Sequence, residues 1–299
     1  MKLFKSITMV LIIICGLVMP SYGISLTNEY PNYGQSVGID LGIDTEPFEI
    51  SKTDIKQFPK PVKDYLETNV NAKMVSTVIY HYRLEKNSSG DTQKNLVESF
   101  KIVDKETLSE FSNYSSTILP LLETASVKPV DGQDILVGIS TYSYSHPTKP
   151  TFYQIQGWWE WQQSSVGIFS AGYDLVGLTF LGETYGYDYY SLANNIWNHN
   201  TINLTLKSSN DNGVVYTHPS GSSLSYGAVL GKLTSSNANE QESFKVYFIY
   251  EYFETNPSPS YLSGLISWII GNFVPDAFPL LSQNQRFDPE ATLFYGNAQ

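Results

Sequence analysis

Alternation with a period of two, in segments that are apolar on both sides, constrains this chain more than any other feature. In Phe244–Phe253, FKVYFIYEYF, a pleated strand places Phe244, Val246, Phe248, Tyr250 and Tyr252 on one face and Tyr247, Ile249 and Phe253 on the other. Such a strand belongs in the middle of a layered structure, because both faces need cover from water. Phe152–Gly182 reads the same way and holds three of the five tryptophans, Trp158, Trp159 and Trp161. Its first segment sets Phe152, Gln154, Gln156, Trp158 and Glu160 against the more apolar face of Tyr153, Ile155, Gly157, Trp159 and Trp161. After a loop, Gln162–Ala171, Tyr173–Leu181 is apolar on both faces, and the pair is expected at the centre of a β-rich body.

The other strand-like runs sit between turn residues. Met74–Leu84 and Leu96–Val103 flank Lys86–Asp91 as a hairpin, and Ile135–Ser143 leads through the proline corner Ser145–Pro150 into the tryptophan strand. Ile202–Lys207 and Val214–His218 flank Ser208–Gly213, and Leu224–Leu233 precedes the polar loop Thr234–Ser243. Val37–Phe48 alternates weakly and is expected as an edge strand. Pro59–Asn69, with Val62, Tyr65 and Leu66 at helical spacing, predicts a short helix, and Lys105–Leu122 a connection with about two helical turns. No fixed-period repeat disturbs this pattern, which disfavours a propeller or solenoid. The expected fold is mainly β: an antiparallel β-sandwich or curled sheet with a few short helices and a C-terminal packing helix. Its expected divisions are a leader over 1–23, an N-terminal arm and short helix over 24–73, a β-rich core over 74–255 and a helix with tail over 256–299.

Lys2 and Lys5, the apolar run Ile7–Met19 and the small residues Ser21 and Gly23 predict a secretory signal peptide cleaved after Gly23. The run, roughly 13 residues, is short against the span of about 20 that an anchor needs. An uncleaved anchor is the rival. Cys15, the one cysteine, follows Ile14, where a lipid-attachment site needs a small residue. Without the leader the chain has no cysteine, so a hydrophobic core must hold it together. Loss of Lys2 and Lys5 leaves 16 basic residues against 29 acidic ones, a balance that excludes nucleic acid as the main partner. Asp40, Asp44, Glu46 and Glu49 cluster without the spacing of a calcium loop. The sequons at Asn87, Asn113 and Asn203 matter only in a glycosylating host.

Two stretches carry candidate sites. Leu262, Leu265, Ile266, Ile269, Ile270 and Phe273 recur at helical spacing, with Trp268 beside them, Ser258 or Ser260 as N-cap and Pro259 in the first turn. This segment is expected to dock on an open sheet face. The alternative is membrane contact, which its uncharged polar face disfavours. Tyr185, Tyr187 and Tyr189 alternate around Asp188 and, with Trp158, are the candidate ligand-binding residues, since exposed rings stack on sugars and Asp188 adds a hydrogen-bonding group. His81, His146, His199 and His218 lack zinc-site spacing, and neither a GxSxG elbow nor a cysteine nucleophile is present. No motif implies a cofactor or metal. Paired carboxylates from Glu160, Asp174, Glu183 and Glu251 are the one enzymatic option, a glycosidase. The expected function is that of a secreted or envelope-associated binding protein for a cell-surface glycan or partner protein. A membrane-active protein using 261–274 comes second and a glycosidase third.

Overall fold

The computed structural model describes residues 39–40, 47–124, 132–146, 149–162, 173–181, 187–195, 201–202, 204–210, 212–218, 225–234, 242–271, 278, 284–287 and 290–295. Two stacked sheets account for every strand in these segments, so the fold is the sandwich rather than the curled single sheet. Sheet I runs β3 (Thr92–Ile102), β2 (Lys73–Lys86), β4 (Gly132–His146), β5 (Lys149–Trp161), β11 (Ser225–Thr234), β7 (Tyr187–Asn195) and β8 (Thr201–Ile202), all antiparallel. Sheet II runs β1 (Ile39–Asp40), β14 (Glu290–Tyr295), β12 (Glu242–Phe253), β6 (Asp174–Leu181), β10 (Gly213–His218) and β9 (Thr205–Asn210). β13 (Asn284–Phe287) pairs with the same edge of β12 as β14, further along. Among the described residues only β1 and β14 pair in parallel; of the weak strand expected over Val37–Phe48, β1 and the bridging Phe48 pair, and residues 37–38 and 41–46 lie outside the described residues.

The period-two faces map onto the layers. Between the sheets, Val78, Tyr80, Ile135, Val137, Ile139, Ile155, Trp159, Trp161 and Val229 meet Val176, Leu178, Val214, Tyr216, Val246, Phe248, Tyr250 and Tyr252. The sheets approach closely at Gly157, where a Cβ would lie 2.3 Å from the Phe248 ring. Outside sheet I, a single turn, α1 (Lys52–Ile55), leads into α2 (Lys60–Thr68). With α3 (Lys105–Thr124), α2 brings Val62, Tyr65, Leu66, Leu108 and Phe111 onto Met74, Ile79, Leu136, Tyr142, Trp158 and Leu230. Outside sheet II, Leu265, Trp268 and Ile269 of α4 (Pro259–Gly271) cover Leu175, Val215, Tyr247, Ile249 and Phe253. The order of layers is therefore helix, sheet, sheet, helix. β12 is central, with β6 on one side and β13 and β14 on the other.

Several expectations change in detail. The tryptophan strand β5 and the strand after it, β6, expected together at the centre, lie there in different sheets, as facing layers. β11 and β12 are separated in the same way. Lys105–Thr124 is one helix of 20 residues, well beyond two turns. Its start is fixed by a reciprocal cap: Asp104 Oδ1 accepts from Thr107 N at 2.9 Å, and Asp104 N donates to Thr107 Oγ1 at 3.2 Å. α4 begins as expected, with Ser258 Oγ accepting from Tyr261 N at 3.2 Å and Pro259 in the first turn.

Candidate functional site

The candidate residues separate into distinct environments. Tyr187, Asp188 and Tyr189 lie in β7, in register with Leu233, Lys232 and Gly231 of β11. β8 pairs only with Ala193 and Asn194, so among the described residues the far edge of β7 is unpaired from Tyr187 to Leu192. Tyr185 lies outside the described residues. Trp158 does not join them: its ring is fully buried beneath α2, and its indole N–H donates to Ser140 Oγ at 3.0 Å. It is a core residue, because the face of β5 that looks polar in sequence is roofed by a helix.

The packing helix places Leu265, Trp268 and Ile269 in the core under α4, with Leu262 and Ile266 partly buried beside them. Phe273 lies outside the described residues. The apolar stripe that a membrane surface would need is in contact with sheet II, and no described helix is long and apolar enough to cross a membrane.

The three described carboxylates among those considered for glycoside hydrolysis lie in separate places. Asp174 faces the layer between the sheets, where Oδ2 accepts from Tyr250 Oη at 2.7 Å and Oδ1 from Phe253 N at 3.3 Å. Burial pushes its carboxyl up to about 7, against the opposing pull of those two donors. Glu251, in register with Leu175, points to the opposite face of the same sheet. There Oε2 meets Arg286 at 2.7–2.8 Å and Oε1 accepts from Tyr261 Oη at 2.6 Å. Glu160 lies on the outer face of sheet I and accepts from Lys60 N at 2.6 Å. Glu183 lies outside the described residues.

A polar cluster that single-residue reading missed joins α3 to sheet I. His81 Nε2 lies 2.8 Å from Asp134 Oδ1, and His81 Nδ1 lies 2.5 Å from Tyr114 Oη. Arg83 donates to both Asp134 oxygens, at 3.1 and 3.3 Å. His81 and Asp134 are 0% and 1% exposed, whereas Tyr114 is half-buried. Burial, then the charges of Glu98 and Asp134, pushes the Tyr114 hydroxyl up to about 12. The one local signal is His81 and Arg83 alternating within the otherwise apolar run Val78–Leu84. Their partners are remote in sequence, and only the β2–β4 register and the cover of α3 unite them.

Among the described residues, no group of three or more His, Cys, Asp or Glu side chains is arranged to hold a metal ion. No protein-family model matches the chain, and no curated protein sequence matches it significantly.

Proposed function

We propose that the protein is an exported binding module, secreted or held at the cell envelope, that recognises a cell-surface glycan or a partner protein through Tyr185, Tyr187, Asp188 and Tyr189. The observation that supports this reading is the place of β7. It supplies alternate tyrosines on an unbulged strand whose outer edge is unpaired from Tyr187 to Leu192 among the described residues, while the central strands of both sheets are covered on both faces. Aromatic rings at a sheet margin offer a large, stiff contact area at low entropic cost, with Asp188 as a hydrogen-bond acceptor. Export rests on the N-terminal pattern Lys2–Gly23.

A glycan array probed with the mature chain tests the proposal. Binding to a defined sugar class, weakened about tenfold by Tyr187→Ala, is expected. An array without binding, together with failure to capture a surface protein in a Tyr187-dependent way, would sink it.

A further inference from the structure

The cluster between α3 and sheet I has the arrangement of an activated nucleophile: a hydroxyl, an imidazole within hydrogen-bond reach, and a third group that orients the imidazole. We propose that Tyr114 is an acyl acceptor, with His81 as its general base and Asp134 as the positioning residue. An ionised carboxylate only accepts, so Asp134 holds the His81 proton on Nε2 and leaves the Nδ1 lone pair facing Tyr114 Oη. Arg83 donates to both Asp134 oxygens and so fixes the orientation of the carboxyl group. Base and positioning residue are enclosed, while the hydroxyl-bearing ring reaches the surface and packs on Phe100 at 4.7 Å between centroids.

In the step, Tyr114 Oη attacks the carbonyl carbon of an activated acyl donor and its proton passes to His81 Nδ1. The carbon–leaving-group bond breaks, and His81 returns that proton to the leaving group. Tyr114 becomes an ester and no oxidant or reductant is required. The exposed Glu98 beside the site disfavours anionic donors, which makes a neutral acyl donor the fitting class. Because the hydroxyl stays protonated through neutral pH, reaction depends on the base and not on a free phenolate.

N-acetylimidazole, a neutral acyl donor, tests this on the full chain by peptide mass mapping from about pH 6 to about pH 9. Tyr114 is expected to be acetylated about tenfold faster than any other tyrosine. Its rate should level off well below the pH of about 10 at which free phenols ionise. Tyr114→Phe should remove the fast site, and Asp134→Asn should slow it about a hundredfold. Labelling of Tyr114 no faster than the other tyrosines would overturn the proposal, as would a rate that tracks free phenols or a fast site retained in folded Asp134→Asn. If Asp134→Asn does not fold, the pH profile of the unsubstituted chain decides alone.

Discussion

Asp174 shows how burial sets the chemistry of a residue. It sits between two sheets with Tyr250 and the Phe253 amide as donors, and its carboxyl is raised to about 7 from an ordinary 3.8. The folded chain therefore holds a proton at Asp174 that the unfolded chain has released between about pH 4 and about pH 7. Stability from this group is fully present below that window, falls as pH rises through it and levels off above, a swing on the order of 4 kcal/mol. Asp174→Asn should flatten this part of the stability curve, read by urea denaturation at several pH values; an unchanged slope would refute the assignment. Trp158 and His81 carry the same lesson for legibility. Their strands could be read from local alternation, but whether a helix roofs a strand face depends on residues far along the chain.

At the scale of elements, helices are fastened by polar groups from remote strands. The start of α2 has no side-chain cap from its own Pro59; instead Glu160 of β5 accepts from the Lys60 amide, where a negative charge also suits the helix dipole. Tyr65 Oη donates to Gln154, and Gln156 donates to the Pro61 carbonyl, so the side-chain amides of β5 bind the helix that covers them. On the far side of the sandwich, Arg286 of β13 meets Glu251 of β12, donates to the Phe278 carbonyl and lies over the Trp268 ring of α4. Arg286→Met should cost about 3–5 kcal/mol in chemical denaturation by stranding a buried carboxylate, and the double change with Glu251→Leu should recover much of it. Equal losses in the single and double variants would count against the pair. The edge strands are guarded too: register breaks leave Val97 of β3 and Lys207 of β9 as bulges, and Lys94 of β3 turns inward over Tyr82 and Phe287.

For the whole molecule, four layers held by apolar contact fit a chain whose single cysteine lies in the N-terminal segment proposed as a leader. On that proposal the exported form begins at Ile24, which N-terminal sequencing checks directly; a start at Met1 would favour the anchor instead. The sequence by itself determined the mainly β class, the strand faces and the docking stripe of α4, because pleat and helix periods are local properties of the backbone. Only the tertiary structure decided which strands share a sheet, that Trp158 lies under a helix, and that Tyr114, His81 and Asp134 meet. Those outcomes depend on long-range register and on competition among apolar faces for the same cover, which no local period encodes.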